Sequence, residues 1–193
     1  MGYVPKILAF AGSTRRDSYN KKLVKMAAQG AQKAGAGVTF LDLRDIPLPL
    51  YDGDLEEKEG LPANARKLKD LMLAHQGFLI SSPEYNSGIS GVLKNAIDWA
   101  SRRLPDEPPL ACFQDKTAVL MSASPGGLGG LRGLVHVRLI LSNIGVIVLP
   151  AQIAISKAQE AFLPDGSLKD PKQQAGVEKL GVELAEKLRK LNS

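Results

Sequence analysis

Three stretches of this sequence combine glycine with small hydroxyl and amide side chains in a way that could hold a ligand. The first is Gly12-Ser13-Thr14-Arg15-Arg16-Asp17-Ser18-Tyr19-Asn20. Its chemistry suits phosphate. Gly12 lets the backbone turn and approach closely, Ser13 and Ser18 offer hydroxyls, Asn20 offers an amide, and Arg15 offers a forked cation able to hold two oxygens. The same residues also suit a plainly capped helix, with Ser18 as N-cap and the arginines in water. The stretch matches neither G-x-x-x-x-G-K-[ST] nor G-x-G-x-x-G. That argues against a P-loop nucleotidase and against dinucleotide fixation at this turn.

The second stretch is Ser81-Ser82-Pro83-Glu84-Tyr85-Asn86-Ser87-Gly88-Ile89-Ser90-Gly91. Pro83 stiffens its entry, Gly88 and Gly91 are expected to allow tight turns, and Tyr85 supplies a flat face beside free N–H groups. A planar heterocycle with carbonyl and ring-nitrogen acceptors would suit it. The alternative makes Tyr85 a surface aromatic and Ser90 only the next N-cap. The third stretch, Ser122-Ala123-Ser124-Pro125-Gly126-Gly127-Leu128-Gly129-Gly130, has four glycines in five positions. Close approach of a ligand or another backbone would explain so much conformational freedom.

These stretches each follow an apolar run of strand length. Such runs occur at Lys6–Ala11, Val38–Leu41, Gly77–Ser81, Thr117–Met121 and Val146–Leu149, and their lack of polar/apolar alternation predicts strands covered on both faces. The segments between carry helical spacing. Leu23, Ala27 and Ala34 mark one helix, Leu68, Leu71 and Met72 a second, and Val92, Leu93, Ala96, Ile97 and Ala100 a third. The last has Val177, Leu180, Leu184, Leu188 and Leu191 on one face, with Glu183/Lys187 and Glu186/Lys190 as outer pairs. Strand and helix alternating five times predict an α/β fold, a doubly wound sheet of five parallel strands with helices on both faces. Ligands of such sheets bind beyond the carboxyl ends of the strands. All three stretches are placed there.

Composition agrees with a folded protein. The 193 residues are 44% hydrophobic and 23% charged, which fits one domain over residues 1–193 and excludes disorder, collagen and coiled coil. The one cysteine, Cys112, has no intramolecular disulfide partner and reads as a packed thiol. The N-terminus lacks the pattern of a secretory signal, and no apolar run is long enough to span a bilayer, so a cytoplasmic location without membrane partners is expected. The net charge of +5 favours anions, yet the basic residues are dispersed and aromatics make up 5%, which gives nucleic acid no support as a partner.

Other candidate groups read as structural. His75 and His136 sit in helical stretches without a metal-ligand partner at i+4, so no metal site is expected. Trp99 reads as core or subunit interface, and Asp98 and Arg102 are spaced to pair. Glu84 reads as a loop carboxylate bonded to backbone, Arg16 as a solvated arginine, and residues 45 to 62 as a long loop.

The first stretch, followed by Ser82-Pro83-Glu84-Tyr85-Asn86 and Gly91-Val92-Leu93-Lys94-Asn95-Ala96-Ile97-Asp98-Trp99, resembles the NADPH-dependent FMN reductase family, with its flavodoxin-like quinone, chromate and azo-dye reductases. The resemblance covers essentially the whole chain. It implies a flavodoxin-like sheet, noncovalent FMN, NADPH or NADH as hydride donor, a small-molecule electron acceptor, and a homodimer or homotetramer. It assigns Ser13, Arg15, Ser18 and Asn20 to the FMN phosphate, and Pro83, Glu84, Tyr85, Asn86 and Ser87 to the isoalloxazine and its ribityl side. Ser124, Gly126 and Gly127 fall to the opposite rim of the ring, and no side chain is implied as a catalyst. One departure is visible: many members read glycine-serine-isoleucine-proline-glycine where this chain has Ser87-Gly88-Ile89-Ser90-Gly91, losing a proline at the helix start. A flavodoxin-like electron carrier serving protein partners is the rival expectation.

Overall fold

The computed structural model describes residues 2–192, so Met1 and Ser193 lie outside the described residues. In chain order its elements are β1 (Lys6–Ala11), α1 (Tyr19–Lys33), β2 (Gly37–Leu41), α2 (Gly53–Glu59), α3 (Ala63–Ala74), β3 (Gly77–Ser81), β4 (Glu84–Tyr85), β5 (Gly88–Ile89), α4 (Gly91–Ala100), β6 (Thr117–Ala123), α5 (Leu131–Asn143), β7 (Ile147–Ile155), α6 (Ala158–Ala161) and α7 (Pro171–Leu191). Five strands form one parallel sheet in the order β2-β1-β3-β6-β7. Counted among themselves these strands run 2-1-3-4-5, the flavodoxin-type order. Its switch point lies between β1 and β3.

The pleat explains the continuous apolar runs. Ile7, Ala9 and Ala11 of β1 join one core with Leu23, Val24 and Ala27 of α1 and Leu180 and Leu184 of α7. Leu8 and Phe10 face the other way, into a core with Leu68 and Met72 of α3, Leu93 and Ile97 of α4, and Leu134 and Val137 of α5. Both faces of the central strands β1, β3 and β6 are therefore apolar. The edge strands β2 and β7 depart from that expectation and are partly exposed, because each has a neighbour on one side only.

The fifth strand is longer than the apolar run Val146–Leu149 predicts. It passes through Pro150 to Ile155, and its pairing with β6 shifts register between Ala118 and Leu120. An edge strand tolerates proline because the missing N–H faces no partner, and the irregularity absorbs the mismatch. The expected loop over 45–62 contains the short helix α2. Trp99 Nε1 and Asn95 Nδ2 both donate to Pro49 O, at 2.8 and 2.9 Å, and Tyr51 N donates to Asn95 Oδ1 at 2.8 Å. These bonds hold the segment against α4.

The expected ion pairs differ too. Asp98 pairs with Lys94 at 2.7 Å, and Arg102 reaches Glu56 at 2.8 Å instead. On α7 the i,i+4 contact is Lys179 with Glu183 at 3.6 Å, not the Glu183/Lys187 and Glu186/Lys190 pairs, and Leu191 is exposed. Helices α1 and α7 touch through backbone. A Cβ on Gly30 would lie 2.0 Å from Glu178 O, and one on Gly181 would lie 1.9 Å from Ala27 O. Only glycine allows that approach.

Candidate functional site

The loops leaving β1, β3 and β6 meet at the carboxyl edge of the sheet, as their sequence position requires. A cleft of about 100 Å³ there is lined by Ser13, Arg15, Ser18, Tyr19, Asn20, Pro83, Glu84, Tyr85, Ala123, Ser124 and Pro125. Every predicted residue of the first loop and three of the five in the second are thus brought together. Asn86, Ser87, Gly126 and Gly127 lie beyond its lining.

The first loop is built by local bonds. Ser13 Oγ accepts Arg15 N at 3.3 Å, and Ser18 caps α1 by accepting Lys21 N at 3.4 Å. Helix α1 begins at Tyr19; the amides of Lys21 and Lys22 turn back to Ser18 O at 3.1 Å, and those of Tyr19 and Asn20 have no carbonyl one turn earlier. A helix start of this kind favours an anion. The Arg15 side chain is exposed and makes no hydrogen bond or ion pair among the described residues. Gly12 lies at a bend and also serves packing: a Cβ there would lie 2.8 Å from Leu93 Cβ.

Asn20 is largely committed to the sheet. Its Oδ1 accepts Ser81 Oγ at 2.8 Å and Ala123 N at 3.0 Å, and its Nδ2 donates to Ala123 O at 2.9 Å. One side chain therefore bolts α1 to the ends of β3 and β6. A single N–H is left for a ligand.

The second loop folds into a hairpin. Glu84 pairs with Ile89 and Tyr85 with Gly88, across a two-residue turn at Asn86 and Ser87. Both turn residues have positive φ, 51° and 66°, the pattern of a type I′ turn. The expectation that Gly88 and Gly91 make the turns is thus corrected. Tyr85 is 59% exposed, which leaves its ring free to contact a ligand. Ser90 caps α4, as predicted, and also donates to Gly12 O at 2.6 Å. The path from 87 to 90 is held without the proline.

Glu84 bonds backbone as expected: Gly133 N donates to Oε2 at 3.0 Å. Arg132 Nε donates to Oε1 at 3.0 Å. Burial opposes the charge, but the Gly133 amide and the Arg132 guanidinium outweigh it and hold this carboxyl below the usual range. Arg132 and Gly133 carried no signal in the sequence, since nothing in the spacing brings α5 to Glu84. On the third loop Ser124 Oγ accepts Gly126 N at 3.2 Å, and Gly129 and Gly130 take positive φ, 63° and 92°. A Cβ on Gly130 would strike Ser122 Oγ, a buried hydroxyl without a partner among the described residues.

Elsewhere, His75 follows the end of α3, and its buried ring contacts Leu71 O at 2.6 Å and Thr39 Oγ1 at 2.8 Å. Cys112 is buried, and burial pushes its thiol pKa up. Among the described residues no group of three or more His, Cys, Asp or Glu could hold a metal, and no helix is long and apolar enough to cross a membrane. A larger cleft of about 570 Å³ opens beside Thr14, walled by Leu43, Ile46, Leu48 and Val92. Its Asn95 is committed to Pro49 and Tyr51. The loops after β3 and β6 give it nothing.

A five-stranded parallel sheet in this order, with three ligand-type loops at its switch point, places the chain among flavodoxin-like α/β proteins. Residues 5–160 match the NADPH-dependent FMN reductase family, and the chain belongs to it. It is 36% identical over 170 residues to a probable NADPH:quinone oxidoreductase of Oryza sativa, covering 86% of this chain and 80% of that one. It is 37% identical over 168 residues to an NAD(P)H-dependent FMN reductase of Pseudomonas aeruginosa, covering 86% of each. Among solved structures, the flavoenzyme NAD(P)H:(acceptor) oxidoreductase of Paracoccus denitrificans aligns with a TM-score of 0.78 at 29% identity, over 95% of this chain and 98% of that one. As a family member this chain is an oxidoreductase working with FMN and NAD(P)H.

Proposed function

We propose that the protein passes two electrons from NADPH or NADH, through noncovalent FMN, to a quinone or a similar small acceptor, with donor and acceptor taking turns at one site. Bound FMN supplies the redox chemistry, so no side-chain nucleophile is needed. The chain's task is to hold and orient it. Arg15, Ser13 and Ser18 with the first turn of α1 would hold the phosphate, with Asn20 adding its one remaining N–H. Pro83 to Ser87 would border the ring on the Tyr85 side, and Ser124, Gly126 and Gly127 the opposite rim. Backbone N–H groups at the pyrimidine end would stabilise the negative charge of the reduced ring.

The observation that carries this reading is the meeting of three loops at one cleft, whose lining includes an arginine without a side-chain partner among the described residues and an exposed tyrosine. The experiment is reconstitution with FMN, desalting, and anaerobic addition of NADPH with the visible spectrum recorded. Retained flavin that bleaches rapidly supports the oxidoreductase; retained flavin that NADPH leaves yellow points to the electron carrier. Flavin lost on desalting overturns the site. Azo compounds, chromate and free flavin belong on the acceptor panel beside quinones, and an obligatory ternary complex in steady-state kinetics overturns the shared site. Homo-oligomers are part of the proposal, supported by the exposed apolar stripe Leu131, Val135 and Leu139 on α5. Sedimentation gives the mass.

A further inference from the structure

The two walls of the cleft come from segments far apart in the chain, the β4-β5 hairpin and the turn that follows β6. From the hairpin, Glu84 reaches the helix α5 into which that turn leads. Glu84 Oε1 lies 2.9 Å from Arg132 Nη2 in addition to its bond from Nε, while Oε2 takes the amide of Gly133. Arg132 and Gly133 stand in the first turn of α5, whose N-cap is Gly130, a residue with no side chain to satisfy the free N–H groups. Glu84 supplies from the hairpin the acceptor that a serine or aspartate would supply from the cap position. Glycine at 133 permits the contact: a Cβ there would lie 3.2 Å from Gly88 O and 3.3 Å from Glu84 Cβ. The Glu84 side chain is 9% exposed and that of Arg132 60%.

We infer that Glu84 is a positioning residue, which clips the hairpin to the start of α5, sets the width of the slot between the two walls, and balances the charge beside it. The inference rests on the flavin reading above. Its electrostatic half has a sign. Glu84→Gln keeps the shape but leaves Arg132 and the positive end of α5 uncompensated, and a more positive slot favours the anionic reduced ring. Arg132→Gln leaves the carboxylate uncompensated and acts the other way. A contact that only stiffened the fold would weaken alike in both variants.

The test measures the midpoint potential of FMN bound to wild type, Glu84→Gln, Arg132→Gln and the double variant, by equilibration with reference dyes. Hydrogen exchange is measured separately on flavin-free wild type and Glu84→Ala. The expected result is a more positive potential in Glu84→Gln, a more negative one in Arg132→Gln, and a double variant near wild type. In flavin-free Glu84→Ala, amides of residues 84–89 should exchange at least about tenfold faster, while the central strands stay protected. Potentials that do not move, or that move the same way in both single variants, overturn the inference, as does unchanged hairpin exchange. Wild type that retains no FMN overturns the flavin reading and this inference with it. That failure is told apart because the exchange arm needs no flavin.

Discussion

Ser90 bonds a residue 78 positions away: its hydroxyl donates to Gly12 O at 2.6 Å while accepting the amide of Leu93 at 3.3 Å. The first bond fixes the entry to the loop that holds Ser13 and Arg15, and the second starts α4 beneath the hairpin. Ser90→Ala should therefore lower stability by about 1–3 kcal/mol and weaken FMN binding as well. Ser90→Pro should be the milder change, because φ at this position is −69°, already that of proline, and a fixed φ lowers the entropy of the unfolded chain. Urea unfolding of both variants checks the order. A proline variant less stable than the alanine one would contradict it.

Arg15 and Asn20 line the same cleft but should fail differently. Arg15→Ala removes a side chain with no hydrogen-bond or ion-pair partner among the described residues, so the melting temperature should hold while the Kd for FMN rises by about tenfold to a hundredfold. Asn20→Ala strands Ser81 Oγ and both backbone groups of Ala123, and should destabilise the flavin-free protein by about 2–4 kcal/mol. Thermal melts of the apoproteins with fluorescence titration of FMN separate the two cases.

Lys69 is buried under the segment after α4. Its side chain, 2% exposed, lies 2.7 Å from Glu107 Oε2 and donates to Arg102 O at 2.6 Å. Lys69→Ala should cost about 3 kcal/mol. Burial opposes the charge on Glu107, but Lys69 and Arg66 outweigh it, so this carboxyl titrates below its usual range in the fold. The sign follows from linkage. The contribution is fully present above the unfolded carboxylate pKa, about 4.3, and is lost as pH falls through the lower folded value. The stability gap between wild type and Glu107→Gln, measured in urea from pH 7 to pH 3, should close at the acid end. A constant gap would show that the charge plays no part.

Gly30 and Gly181 should tolerate no side chain. Either one changed to alanine drives a methyl into a main-chain carbonyl of the facing helix, so α1 and α7 must part. A loss of about 3 kcal/mol is expected in chemical denaturation. Changing Gly2, with nothing within 4 Å of its added Cβ, should leave stability unaltered.

The sheet was legible because burial on both faces leaves a continuous apolar run, and β1, β3 and β6 show it plainly. Edge strands are harder to read. Pro150 reads as an end, whereas on β7 it costs no ladder bond. Caps were legible because Ser18 and Ser90 act within three residues of themselves. The loops after β1, β3 and β6 were legible as a set, since a parallel sheet brings all their starts to one edge. What the sequence concealed are bonds between residues distant in the chain. Asn20 reads equally well as a phosphate ligand or as a bolt to Ala123, and no spacing links Glu84 to Arg132. Ion pairs on exposed helix faces were the weakest expectation, because several partners lie within reach of each lysine.

The close contact between α1 and α7 gives the two ends of the cleft unequal footing. The first loop leads into a helix that cannot pivot without pulling main chain from main chain, so the anion end is a fixed post. The hairpin end is held by side chains instead, by Glu84 on the start of α5 and by Ser90 on Gly12. On the flavin reading proposed above, a ligand spanning both would lose its hold at the hairpin before its hold at the first loop.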